Sequence, residues 1–336
     1  MESQEVLYPA PIFIKGVKCV QANLKSIEQV MEQVGRIILG KDEQIKEIML
    51  SFLANGHILL EDIPGVGKTT LALAFSKAMS LEYKRVQFTP DVMPSDLTGF
   101  SIYRRESEQF VYQPGSVFCN LLLADEINRT SPKTQSALLE VMEERKVTAE
   151  GITREVPSPF MVIATQNPFG SVGTQHLPEA QVDRFMISMS LGYPDFDSEL
   201  AMAKMAGDSH KLDSIEPILE CEDLIKLQED VQEVYINEAV YRYIVQLITN
   251  TRENPYLNTG VSPRGTIALV RMARAAAWIE GRDYVTPNDV KKQFPYVISH
   301  RITLNAAARM ENIKKQEIVS KMAEEVSKPP MGEGSR

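Results

Sequence analysis

The feature that most constrains the fold is a glycine-containing loop at residues 61–70, which lies between two apolar segments. Residues 57–60 are short and apolar, as in a buried strand, and residues 71–75 begin a predicted helix. A strand, a glycine turn and a helix together aim backbone amides and the positive end of a helix dipole at one point. The loop therefore predicts a site for a phosphate anion.

The loop carries the residue types that grip a nucleotide. Gly65 and Gly67 allow a sharp turn, and Lys68 can reach the β- and γ-phosphates. The Thr69 hydroxyl can bind the Mg2+ that bridges these phosphates. The other predicted nucleotide-binding positions of the loop are Pro64, Val66 and Thr70. The alternative is a tight turn with a solvated lysine, but Gly-Lys-Thr at such a junction has few other uses.

One position of the loop departs from the pattern G-x-x-x-x-G-K-[ST], because Asp62 stands where the first glycine is expected. The sequence alone assigns no role to this carboxylate.

A second apolar segment, residues 117–124, ends in Asp125 and Glu126. It predicts a strand buried on both faces, whose carboxyl end lies where open α/β sheets bind ligands. With a phosphate loop upstream, Asp125 would hold Mg2+ and Glu126 would orient and polarise the attacking water. The alternative is a strand that ends at the surface with two solvated acids.

A third apolar strand, residues 160–165, is followed by Gln166 and Asn167. An amide beside the two acids could hydrogen-bond the γ-phosphate or the catalytic water. A polar residue that merely ends the strand is the alternative.

Helical patterns flank this region. Two helices are predicted before the loop, from residue 24 to about 38 and from 42 to 53. The apolar link between them is either a simple connector or part of the nucleotide site. Helices are predicted again at 200–205, 218–235, 238–250, 266–278 and 287–298. Loop is predicted at 91–98, and hairpin arms are predicted at 102–103 and 110–112, and at 147–149 and 152–156.

These patterns predict an α/β nucleotide-binding domain at residues 24–195 and a helical domain at 196–326. Residues 1–23 are an extension of uncertain order, and residues 327–336 are predicted to be a disordered tail.

Composition narrows the classes of partner. The net charge of −9 argues against extensive contact with nucleic acid and favours protein partners. The three cysteines have no paired spacing, so neither a disulfide framework nor a zinc site is indicated. No apolar run reaches membrane-spanning length. We therefore expect a soluble, cytoplasmic protein without membrane insertion.

Four motifs together resemble the MoxR family of AAA+ ATPases: PGVGKT at 64–69, LLADEINRT at 122–130, ATQNP at 164–168 and LPEAQVDRF at 177–185. The similarity extends from about residue 38 to 281. It implies Mg2+-dependent ATP hydrolysis by a P-loop αβα sandwich with a parallel sheet, followed by a helical lid. It also implies a ring, commonly of six subunits, and identifies the two hairpins with the helix-2 insert and the pre-sensor insert.

The resemblance assigns further roles. Asn167 matches the first sensor and Arg264 the second, and Arg184 matches the arginine finger that reaches the γ-phosphate of the neighbouring subunit. Arg264 opens a helix, where its charge opposes the dipole and is available for an anion elsewhere. Arg129 resembles a further contact in trans. The positions that match the adenine-packing link are Ile38 and Gly40.

Three functions remain open at this point. The first is an ATP-driven remodeller or chaperone of a protein client, which in this family is often a von Willebrand factor A domain protein. The second is a nucleic-acid motor related to replicative helicases, which the acidic charge disfavours. The third is a small-molecule kinase or nucleotide switch, in which Asn167, Arg184 and a lid would have no role.

Overall fold

The computed structural model of the protein describes residues 17–167, 177–204 and 211–329. The α-helices are α1 (Val17–Ile37), α2 (Asp42–Leu53), α3 (Lys68–Ala78), α4 (Pro94–Thr98), α5 (Pro132–Glu144), α6 (Glu179–Val182), α7 (Phe196–Lys204), α8 (Cys221–Gln232), α9 (Glu238–Glu253), α10 (Pro263–Ile279), α11 (Pro287–Ile298), α12 (Ala306–Met310) and α13 (Lys315–Glu325). The strands are β1 (Ile58–Glu61), β2 (Tyr83–Gln87), β3 (Gly99–Arg104), β4 (Gln109–Pro114), β5 (Leu121–Asp125), β6 (Lys146–Ala149), β7 (Ile152–Glu155), β8 (Met161–Gln166), β9 (Ile187–Met189), β10 (Leu257–Thr259) and β11 (Thr303–Leu304).

A five-stranded parallel sheet in the order β2-β5-β8-β1-β9 forms the centre of the first half of the chain. Successive residues of a strand face opposite sides. Leu60 and Leu123 pack into a core with α1, α2 and α3, whereas Leu59 and Leu122 pack into a second core with α5. Because both faces are covered, the middle strands β5 and β8 are buried along their whole length. The predicted αβα sandwich is confirmed.

The predicted helical lid is also confirmed. Helices α8, α9, α10 and α11 correspond to four of the predicted helices, and α10 packs against α2 while α11 packs against β9. The small antiparallel sheet of β10 and β11 was not predicted, because strands of three and two residues show no alternation. Helices α12 and α13 also lie beyond the last predicted helix. The boundary at residues 195 and 196 stays a prediction.

The two predicted hairpins are confirmed as β3–β4 and β6–β7. The prediction of loop throughout residues 91–98 is wrong, since this segment contains α4. Pro94 suits the first turn of a helix, and the Asp96 carboxylate accepts a hydrogen bond from the Met93 amide at 2.8 Å.

The predicted strand at 117–124 is four residues shorter at its start, because β5 begins at Leu121. Asn120 precedes β5 instead of forming part of the strand. Its side chain accepts from the Glu82 amide at 3.1 Å and donates to the Pro159 carbonyl at 3.0 Å, which ties together the starts of neighbouring strands.

Helix α1 begins at Val17 rather than at residue 24, so part of the predicted extension is helical. Residues 1–16, Met205 of the helix predicted at 200–205, and residues 330–336 of the predicted tail lie outside the described residues. No helix of the described part combines the length and apolar character needed to span a membrane.

A buried carboxyl group lies where the lid meets α2. Glu47 on α2 is 6% exposed, and its Oε1 accepts a hydrogen bond from Gln293 Nε2 on α11 at 3.2 Å. Within the described residues, Glu47 Oε2 and Gln293 Oε1 have no hydrogen-bond partner. Burial raises the pKa of Glu47 to about 7. The protonated carboxyl is therefore the form that suits this site, since only that form can donate a hydrogen bond.

We predict that Glu47→Gln stabilises the protein in a pH-dependent manner. The raised pKa means that wild-type stability is greatest below the unfolded pKa of 4.5 and falls as the pH rises towards 7. Glutamine does not ionise, so the variant does not lose stability over this interval. The difference in the free energy of unfolding between variant and wild type should therefore grow to about 3 kcal/mol at most and then level off. Urea unfolding at several pH values measures this difference, and Glu28→Gln, at an exposed position of α1, is the control. A constant difference from pH 5 to 8 would contradict the prediction.

Candidate nucleotide site

The phosphate loop has the predicted backbone. Gly65 and Gly67 adopt φ angles of 87° and 91°, a region that other residues rarely enter, and Gly67 caps α3. A Cβ at Gly65 would meet nothing within 4 Å, so the backbone angle rather than space requires glycine there. Helix α3 begins at Lys68, which places its amino end and the side chains of Thr69 and Thr70 at the loop.

Lys68 lies across the loop and faces the predicted acids. Its Nζ donates to the carbonyls of Asp62 and Ile63, at 3.0 and 3.2 Å. Burial lowers the pKa of Lys68, and the negative charges of Asp62, Asp125 and Glu126 oppose this shift. The loop and the carboxyl end of β5 are thus close enough to interact electrostatically, as the sequence predicted.

Asp125 is the last residue of β5 and is held by two partners. Its Oδ2 accepts from Arg85 Nη2 and its Oδ1 accepts from Thr165 Oγ1, both at 2.7 Å. The contact with Asp125 raises the pKa of Arg85. Sequence reasoning missed Arg85, although β2 pairs with β5 and Arg85 lies on the same face of its strand as Tyr83 and Gln87.

Glu126 follows β5 in a left-handed conformation with φ 57°. Its amide donates to Thr165 Oγ1 at 2.9 Å, and its Oε2 accepts from Gln87 Nε2 at 2.7 Å and from Arg129 Nη1 at 2.6 Å. Arg129 therefore contacts an acid of its own chain here, and its role in trans stays a prediction. Gln87 was missed, because only the pairing of β2 with β5 shows that it lies beside Glu126.

Asn167 directly follows β8, the strand between β5 and β1. The residue before it, Gln166, donates to Glu61 Oε1 at 2.6 Å and so links the ends of β8 and β1. This position agrees with a sensor at the same sheet edge as the phosphate loop. Pro168 of the motif lies outside the described residues.

The link between α1 and α2 packs against the loop. Ile38 is buried, and its Cδ1 lies 3.8 Å from the position that a Cβ on Gly67 would take. Gly40 has φ 68°, and a Cβ there would overlap the side chain of Ser198 on α7. The link therefore lies beside the phosphate loop, and its adenine-packing role stays a prediction.

Asp62, which replaces the first glycine of the motif, has a structural partner. Its carboxylate is 4% exposed and accepts from Ser190 Oγ and Leu191 N, each at 2.6 Å, and from Gly192 N at 3.1 Å. These residues follow β9, so Asp62 fastens the end of β1 to the segment after its neighbouring strand. Sequence reasoning could not find these partners, which lie far away along the chain.

Arg184 and Arg264 lie at the other edge of the sheet. Arg184 precedes β9, which runs parallel to β1, whereas Lys68 follows the carboxyl end of β1. Both arginines line a cavity of about 410 Å³ together with His57, which precedes β1. Glu143 contacts both guanidinium groups. Neither arginine is therefore brought together with the phosphate loop of its own chain.

We predict that Asp62→Gly, although it restores the motif glycine, lowers the free energy of unfolding by about 2–5 kcal/mol. The variant loses a buried carboxylate that accepts three hydrogen bonds and leaves their donors unpaired. Urea denaturation measures the change, and Asp91→Gly at an exposed position is the control. Equal stability of Asp62→Gly and wild type would show that the carboxylate does not anchor the loop.

Comparisons with known proteins support the fold described above. The model of the ATPase family associated with various cellular activities (AAA) matches residues 57–187, and the model of the AAA lid domain matches residues 249–322. A crystal structure at 2.00 Å of a candidate ATPase from Cytophaga hutchinsonii superposes with a TM-score of 0.87 at 37% identity, and the match covers 93% of this chain and 98% of that one.

Two relatives cover nearly the whole chain. An uncharacterized protein of Bacillus subtilis, YeaC, is 45% identical over 301 residues, which are 90% of this chain and 94% of that protein. Chaperone MoxR1 of Mycobacterium tuberculosis is 38% identical over 323 residues, with 94% and 85% covered. The motifs, the fold and these relatives lead to one conclusion: the chain belongs to the MoxR family of AAA+ ATPases.

Proposed function

We propose that this protein is a Mg2+-dependent ATPase that works as a ring of identical subunits and remodels or matures protein clients. One observation carries the proposal. The phosphate loop and the acids lie at the carboxyl edge of the sheet, whereas Arg184 and Arg264 lie at its amino edge. A site that uses both groups needs two chains.

The carboxyl edge supplies the nucleotide-binding half. The amides of residues 64–70 would hold the phosphates, Lys68 would neutralise their charge, and the link at Ile38 and Gly40 would pack on the adenine. Mg2+ would be held by Thr69 and Asp125, whose oxygens are the ligands that this ion prefers, and would neutralise charge on the phosphates when bound. The described residues contain no cluster of three or more His, Cys, Asp or Glu side chains that could hold a metal.

The chemistry asked of the protein is water attack on the γ-phosphorus. Glu126 would orient this water and accept its proton, Asn167 would position the water or the γ-phosphate, and the bond from the γ-phosphorus to the ADP oxygen would break. ADP and inorganic phosphate are the products. Gln87 and Arg129 hold the Glu126 carboxylate in place.

Arg184 of the adjoining subunit would stabilise the charge that develops on the transferred phosphoryl group, with Arg264 of that same subunit beside it. Because the two arginines share Glu143 as a partner, they would approach the nucleotide together. The family resemblance supports six subunits, and Arg129 is a further candidate for a contact between them.

A protein client fits the surface better than nucleic acid does. The hairpin β3–β4 exposes aromatic side chains, with Phe110 74% and Tyr103 52% exposed, and the net charge is −9. Exposed apolar side chains of this kind suit protein contact. A relative that bears the name chaperone supports the same reading. A von Willebrand factor A domain protein is one candidate client, and the cytoplasm is the proposed location.

We predict that Lys68→Ala abolishes ATP binding, whereas Glu126→Gln keeps binding and stops turnover. The first variant removes the positive charge that would neutralise the phosphates, and the second keeps the shape of the side chain but cannot accept the proton. Fluorescent-nucleotide titration and phosphate release measure the two properties. Hydrolysis by Glu126→Gln at the wild-type rate would exclude Glu126 as the catalytic base.

We also predict that Arg184→Ala binds ATP normally but turns it over about 10³- to 10⁵-fold more slowly. Mixing it with Lys68→Ala should restore part of the activity, because one chain then supplies the nucleotide and the other supplies the arginine. Phosphate release is measured in each chain alone and in the mixture. If the mixture stays inactive while native mass spectrometry shows mixed rings, the shared site is wrong.

A further inference from the structure

One carboxylate joins the two arginines of the amino edge. Glu143, near the end of α5, has its Oε2 3.3 Å from Arg184 Nη1, and its Oε1 accepts from Arg264 Nη2. Arg184 belongs to the segment before β9, and Arg264 belongs to the first turn of α10 in the lid. A single side chain thus bridges guanidinium groups from two parts of the fold.

The backbones that carry these arginines are already fixed by another group. Arg301 is 7% exposed, and it donates from Nε to Asp183 Oδ1 at 2.8 Å and from Nη2 to the Asp183 carbonyl at 3.0 Å. Asp183 Oδ2 accepts from Ser262 Oγ, whose residue caps α10, at 2.8 Å. The start of α10 and the residue before Arg184 therefore share one anchor.

The ends of the two side chains need a further constraint. Arginine has several rotatable bonds, and ordering such a side chain has an entropic cost. Arg184 and Arg264 are 30% and 42% exposed along their side chains, so solvent leaves them room to move. Glu143 is the carboxylate that contacts both guanidinium groups. A solvent-exposed ion pair of this kind adds little to folding stability, so its effect lies in geometry.

We infer that Glu143 is a positioning residue, which holds Arg184 and Arg264 side by side so that both meet the neighbouring subunit's γ-phosphate. The inference rests on the proposed function. One carboxylate leaves the pair with a net positive charge, which an incoming triphosphate still attracts. Misplacing such groups by about 1 Å lowers a rate by about 100-fold.

Substitutions of Glu143 test the geometry. Glu143→Gln should lower kcat about 10- to 100-fold with little change in KM for ATP, in the melting temperature or in the mass of the ring. Glu143→Asp keeps the charge and should restore part of the loss. The control is the neighbouring Glu144→Gln on the same helix. The Glu144 side chain has no hydrogen bond or ion pair among the described residues, so this variant should behave like wild type. An unchanged or raised kcat for Glu143→Gln would overturn the inference.

A mixing experiment decides where Glu143 acts. In the mixture of Lys68→Ala and Arg184→Ala chains, only the Lys68→Ala chain can supply Arg184 to an intact nucleotide site. Glu143→Gln placed in the Lys68→Ala chain should lower the restored activity about 10- to 100-fold, and the same change in the Arg184→Ala chain should leave it unchanged. Equal effects in the two chains would overturn the role of Glu143. Absence of any restored activity before Glu143 is changed would instead refute the shared site.

Discussion

The direction of the strands is the constraint on which this molecule depends. In a parallel sheet every strand ends at the same edge. The direction of β1, β5 and β8 therefore brings the phosphate loop, the two acids and Asn167 together, although these residues are far apart in the sequence. The same rule places whatever precedes a strand at the opposite edge. Arg184 precedes β9 and is therefore separated from its own phosphate loop by the length of the strands.

The nucleotide half of the site was predictable because its signals are local. The loop, the apolar strand that ends in Asp125 and Glu126, and the strand before Asn167 are each readable within about ten residues. The same segments predicted strands buried on both faces, and the αβα sandwich was expected from the resemblance to the MoxR family. Periodicity predicted a second, helical domain, and the resemblance to the MoxR family identified it as a lid.

The contacts that hold the catalytic groups were not predictable, because they join residues far apart in the chain. Arg85 and Gln87 reach the acids only through the pairing of β2 with β5. Asp62 looked like a defect in a motif until its contacts with residues 190–192 were known. Residues 91–98 look like loop from their proline and acids, although Pro94 and Asp96 lie in the first turn of α4.

Arg301 has a consequence for how the subunits of the proposed ring communicate. It follows α11 and donates hydrogen bonds to the carbonyls of Asp183, Phe185 and Met186, so it ties the lid to the backbone around Arg184. In the proposed ring, a rotation of the lid in one subunit would therefore move the Arg184 guanidinium of that subunit towards or away from the nucleotide of the adjoining subunit.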